Sequence, residues 1–109
     1  YQRLHQPPFG DVYALGWLAV PRNWADGTAL THSGSNTMNY ATVWIAPNRD
    51  FAALVCINQG GQAAFKASDE AVGALIGAFL NTRLENEELK MEEEGRIEES
   101  RKSKENEEY

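Results

Sequence analysis

Apolar residues come in short runs broken by turn formers up to residue 58, and from residue 68 they recur at helical spacing. Residues 13–20 read as a strand, with Tyr13, Leu15 and Trp17 on one face and Pro21 ending it. Residues 23–27 are a turn region, and Asp26-Gly27 within it is a strong hairpin signal. Residues 28–32 follow as a short second strand, and the small polar residues 33–37 as a tight bend or a widened strand end. Residues 38–46 form a third strand, alternating Tyr40, Thr42, Trp44 and Ala46 against Ala41, Val43 and Ile45. Pro47-Asn48-Arg49-Asp50 is a turn. Residues 51–58 are apolar on both faces, which predicts a central fourth strand. Gln59-Gly60-Gly61-Gln62 is a loop.

A helix is expected from about Ser68, whose hydroxyl suits the N-cap, with Asp69 and Glu70 at the positive end of the helix dipole. Val72, Leu75, Ile76, Phe79, Leu80 and Leu84 fall on one stripe. That order predicts an α+β fold, an antiparallel sheet of about four strands covered by a C-terminal helix. Residues 1–12 read as an irregular lead-in broken by Pro7-Pro8 and Gly10-Asp11, and residues 13–83 as the folded body. Past Leu84 the stripe fails, because Leu89, Met91 and Ile97 keep neither a 3.5 nor a 3.6 period. Gly95 and like charges four apart, Glu88 with Glu92 and Glu94 with Glu98, predict a frayed helix or a disordered acidic tail over 84–109.

Charge sharpens that boundary. Residues 84–109 hold 11 acidic and 5 basic side chains, while residues 1–83 hold 5 of each, so the net charge of −6 sits in the tail. A neutral body with an acidic tail argues against a nucleic-acid surface, which needs a basic patch. No apolar run approaches the roughly 20 residues that span a bilayer, so no membrane span is expected. The one cysteine, Cys56, lies in an apolar run and reads as a small buried hydrophobe. With His5 and His32 it makes no metal-ligand spacing, so neither metal nor other cofactor is expected. Tyr1-Gln2-Arg3 opens the chain without the basic region and apolar core of a signal peptide, and the sequence reads as a processed product or a fragment.

The chemically informative stretch is Thr31-His32-Ser33-Gly34-Ser35-Asn36. A glycine there lets a ligand or a second backbone come close, since it has no Cβ. A strand-edge N–H just after it can point at a carbonyl oxygen, and one such oxyanion donor is worth about 3 kcal/mol in the transition state. A His32–Ser33 dyad is disfavoured, because neighbours on a strand face opposite ways. His5 reads as an exposed loop residue, Trp17 and Trp44 as packing, and Trp24 as the better groove residue.

The surrounding landmarks resemble the C-terminal part of the serine β-lactamase and penicillin-binding-protein superfamily, in its class C and D-alanyl-D-alanine peptidase-like branch. Tyr13-Ala14-Leu15-Gly16-Trp17 is similar to the family's Tyr-Gly-Leu-Gly-Trp strand, and His32-Ser33-Gly34 to its Lys-Thr-Gly or His-Thr/Ser-Gly motif. Ser35-Asn36-Thr37-Met38 takes the place of the Gly-rich turn that follows. Val43-Trp44-Ile45-Ala46-Pro47-Asn48-Arg49-Asp50 is similar to the strand and turn after it, and Ala53-Leu54-Val55-Cys56-Ile57-Asn58 to the next strand. The order and spacing of these landmarks carry the resemblance over about residues 13–82.

The resemblance implies a partial β-lactamase/transpeptidase-like fold and a serine-hydrolase parent acting on an amide or ester through an acyl-enzyme. His32 then stands near the substrate carboxylate and the catalytic proton network. Ser33 contacts that carboxylate, Gly34 and Asn36 line the substrate strand, and the Ser35 backbone N–H is one oxyanion donor. Such proteins usually work outside the cytoplasm; this chain carries no address. It also lacks the family's Ser-x-x-Lys, since none of its five serines has Lys three residues on, and no Tyr-x-Asn is present. These 109 residues are therefore expected to be inactive alone, with the missing N-terminal portion of the same fold as partner. The competing readings are a non-catalytic β-edge interaction module and a truncated or frame-altered product.

Overall fold

The computed structural model describes residues 2–8, 10 and 12–107. Of the lead-in, Asp11 in the expected Gly10-Asp11 break lies outside the described residues, as do Glu108 and Tyr109 of the tail. The chain divides into two units, Tyr1–Ile76 and Gly77–Tyr109.

In the first unit five strands form an antiparallel meander: β1 Tyr13–Ala14, β2 Trp17–Arg22, β3 Gly27–Ser35, β4 Tyr40–Ala46 and β5 Phe51–Ile57, in spatial order β1-β2-β3-β4-β5. The helix α1, Gln62–Glu107, starts in this unit. The class is α+β, an antiparallel sheet with a C-terminal helix.

Several boundaries differ from the sequence reading, each for a local reason. The strand expected over 13–20 is two strands, because Leu15 and Gly16 both take positive φ, 33° and 103°, and close a two-residue hairpin. The turn sets Tyr13 opposite Leu18 and Trp17 opposite Ala14, so Tyr13 and Trp17 lie on opposite faces of the sheet and not on one, and Leu15 is exposed. Pro21 does not end β2. The Ala19 N–H donates to Val12 O, away from β3, and two residues on the Pro21 nitrogen faces the same way, where no ladder bond is lost. β3 runs through the polar patch to Ser35, while β4 begins only at Tyr40. β5 is an edge strand, not a central one, with Ala52, Leu54 and Cys56 exposed. Cys56 is thus not the buried thiol its apolar surroundings suggested.

The helix begins six residues before Ser68. Gly61, with φ 88°, turns the chain, and its carbonyl accepts the first helical bond from Phe65 N at 3.1 Å. Ser68 is no cap: it is buried in the second turn of the helix and its hydroxyl donates to Phe65 O at 2.9 Å. Within the first unit the buried helix residues are Ala64, Ser68, Val72 and Ile76, one row at a spacing of four. Small residues lead that row and let the helix lie close. Leu75, expected on the stripe, is half exposed beside it.

Strand register sorts the side chains into two faces. Ala19, Leu30, His32, Val43, Ile45 and Leu54 share one; Thr31, Ser33, Tyr40, Thr42, Trp44 and Val55 share the other. Tyr40 meets Phe65 edge-on at 6.0 Å, which puts the start of α1 on the Thr31 face. Two small clusters hold the sheet. Ala14, Ala19 and Leu30 pack with Trp17 and Ile45; Ala25, Ala29 and Ala46 pack with Trp24, Trp44 and Phe51. Trp24 is therefore a packing residue and not a free groove wall, its ring 5.7 Å from Trp44. The turns at Asn23–Ala25 and Pro47–Arg49 are 3-10 turns closed by Asp26 and Asp50 at positive φ, and Asn48 ties them by donating to Asp26 O at 2.8 Å.

In the second unit the helix runs on through the acidic segment to Glu107, and Lys102 pairs with Glu98 at 3.3 Å one turn earlier. Among the described residues no helix is long and apolar enough to cross a membrane.

A leucine at positive φ is strained by about 1 kcal/mol, and asparagine is not. Replacing the exposed Leu15 by Asn should raise the unfolding free energy by about that amount, moving the urea midpoint up at unchanged slope. An unchanged or lower midpoint would speak against the hairpin.

Candidate functional site

β3 has partners on both sides only as far as the register of β2 reaches. β2 pairs with residues 27–31 of β3, and β4 pairs with residues 30–35. Residues 33–35 are therefore bonded to β4 alone, and among the described residues their other edge is open. The direction of the backbone groups follows from alternation. Ala19 N–H points to Val12, away from β3, so Leu18 and Val20 turn theirs toward β3. Their partners Thr31 and Ala29 face back, which makes His32 and Gly34 face β4 and turns the N–H and C=O of Ser33 and Ser35 to the open edge.

His32 lies on the Leu30 face. Its Nδ1 is 2.8 Å from Gly16 O, at the hairpin that closes β1 onto β2, and Trp17 sits edge-on at 6.3 Å. Ser33 points to the opposite face, as alternation requires, so His32 and Ser33 make no dyad. Gly34 has open space where a Cβ would be. The Ser35 hydroxyl donates to Asn39 O at 2.7 Å and accepts from Thr37 N at 3.2 Å. The Asn36 side-chain oxygen takes N–H bonds from Met38 and Asn39 at 3.3 and 2.9 Å, and Asn39 Nδ2 donates to it at 3.3 Å. Asn36 and Ser35 thus build the bend at 36–39, where Thr37 takes φ 75°. A Cβ on Gly60 would run into the Thr37 carbonyl, so glycine is needed there for the loop after β5 to close on that bend.

Across this end of the sheet, from β3 over β4 to β5, lies an open concavity of about 520 Å³. Gly34, Ser35 and Asn36 line it with Asn39, Cys56 and Asn58; His32 and Ser33 do not. His5 is half-buried, where an exposed loop residue was expected. It lines a separate groove of about 360 Å³ with Gln6, Thr28 and Asn48. No group of His, Cys, Asp and Glu among the described residues is placed to hold a metal ion.

The arrangement brings together a glycine that admits a ligand, an imidazole on one face and two edge residues with free backbone groups. It can pair with an extended carbonyl-bearing ligand as one more strand. Among the described residues no serine, cysteine or threonine is hydrogen-bonded to an imidazole, so no activated nucleophile accompanies it. The sequence reading missed Gly16, whose carbonyl holds His32. The available signal was Gly16 itself, an isolated glycine that interrupts a strand pattern. No protein-family model, curated protein or solved structure matches the chain.

Amide hydrogen exchange should alternate along this segment. His32 and Gly34, bonded to β4, should exchange slowly, and Ser33 and Ser35 quickly. Equal protection at all four would show that the edge is covered.

Proposed function

We propose that this chain is the C-terminal portion of a serine hydrolase of the β-lactamase type, supplying the substrate-binding strand edge and one oxyanion N–H. The observation that carries the reading is the outward turn of the Ser33 and Ser35 backbone groups beside Gly34, on a strand edge with no strand paired to it among the described residues. A substrate backbone would add to β3 there, its reacting carbonyl oxygen taking the Ser35 N–H. His32, Ser33 and Asn36 frame that strand from its two faces and its end.

Acyl transfer also requires a nucleophile, its base and a second donor at the same carbon. These belong to a segment outside the 109 residues, carrying Ser-x-x-Lys at the start of a helix. Amide or ester hydrolysis is then a property of the joined fold. His32 in the place of the commoner lysine favours peptidase or esterase action over β-lactamase action. A longer chain that includes Ser-x-x-Lys should be acylated by a fluorescent penicillin or a fluorophosphonate, and residues 1–109 should not. Stoichiometric labelling of the 109-residue chain would sink the proposal.

A second reading, a β-edge interaction module without catalysis, draws on a different observation. β5 carries seven uncharged residues with no proline, and Ala52, Leu54 and Cys56 direct their backbone groups to its open side. In the hydrolase reading that edge takes a strand from the rest of the fold. As a module, the chain would associate through it. Sedimentation should then show concentration-dependent dimers, abolished by Leu54→Pro, which removes an outward N–H and no internal ladder bond. A wild-type monomer at high concentration would dismiss this reading.

A further inference from the structure

We propose that Gly16 is a positioning residue for His32. Its carbonyl holds the imidazole proton on Nδ1 and leaves Nε2 as a lone-pair acceptor on the sheet face beside the open edge.

A carbonyl oxygen has no proton to give. At 2.8 Å the bond between His32 Nδ1 and Gly16 O therefore requires the proton on Nδ1. In the neutral ring Nε2 is then the acceptor, and it has no hydrogen-bond partner among the described residues. The carbonyl is itself fixed. Leu15 and Gly16 occupy the two positive-φ positions of a hairpin closed by the Ala14–Trp17 pair, and Ala14 is fully buried. Trp17, next in the chain, stands edge-on to the imidazole at an interplanar angle of 73° and limits its rotation. One turn thus sets the position, tautomer and orientation of the ring.

That tautomer decides what the site can recognise. The edge N–H groups of Ser33 and Ser35 take a ligand carbonyl, and Nε2 takes an N–H or O–H. An extended peptide carries both, a carbonyl and an amide N–H. In the hydrolase reading, on which this assignment of a substrate rests, His32 works as an acceptor of a substrate or catalytic proton and not as a fixed cation. The tautomer itself does not depend on that reading.

Long-range ¹H–¹⁵N correlation on the ¹⁵N-labelled 109-residue chain reads the tautomer directly, at a pH well above the ordinary histidine range. Native His32 should show the Nδ1–H form, and the same sample in urea should return to the Nε2–H form that histidine prefers in water. Leu15→Asn, which suits the turn, should keep Nδ1–H. Gly16→Val is strained at φ 103° and should displace the carbonyl, shifting His32 toward Nε2–H while a dispersed spectrum reports an intact sheet. Nε2–H in the native wild type would overturn the proposal, even if Gly16→Val failed to fold. A folded Gly16→Val that kept Nδ1–H would overturn the role of Gly16. Failed penicillin labelling of the longer chain would leave the tautomer standing and remove only the substrate assignment.

Discussion

A two-residue turn at Leu15-Gly16 ends the cover that β2 gives to β3, and the candidate site follows from where that cover stops. β2 begins at Trp17, so the last β3 residue it pairs with is Thr31. Residues 33–35 keep their ladder to β4 and, among the described residues, have no strand paired on the other side. Because backbone direction alternates along a strand, the residues bared at that edge are Ser33 and Ser35. The same turn places a carbonyl against His32. A longer hairpin there would cover the edge and move the acceptor of the imidazole together.

The rest of the first unit gives that edge a rigid support from few large side chains. Of the fully buried residues among those described, only Leu30, Val72 and Ser68 exceed alanine in bulk. A body of this size buries only about 60% of its unfolded surface. Half-buried aromatics compensate: Trp24, Trp44 and Phe51 clamp one end of the sheet, and Trp17 and Ile45 pack beside Leu30. The helix adds one narrow row, Ala64, Ser68, Val72 and Ile76, whose small members permit close approach. At the other end of β3 the polar bend is held by side-chain bonds of Ser35 and Asn36 and by the glycine contact at residue 60.

The chemistry is a consequence of position more than of unusual groups. His32 has one fixed donor bond and, among the described residues, no partner at its acceptor nitrogen, and the hydroxyls nearest it are bonded elsewhere or face away. A site with donors and an acceptor but no activated nucleophile binds and orients. Bond-breaking at such a site depends on groups brought to it, which is why the nucleophile-bearing segment is central to the proposed function.

The sequence alone determined the class of fold, the turns at 23–27 and 47–50 and the lack of Ser-x-x-Lys, and it singled out the glycine-bearing polar stretch as the candidate site. These are local matters, decided by φ preferences, alternation and spacing. It did not determine which strand lies at an edge. The apolar run at 51–57 has the same pattern whether one or two strands flank it, and only the sheet order puts it outside. Nor did it locate the helix start, because Ser68 suits a cap by residue type while the chain turns earlier, at Gly61. Tertiary structure also decided that Gly16, sixteen residues before His32, holds its ring. That contact is set by the register of two strands, and register depends on how the whole sheet pairs.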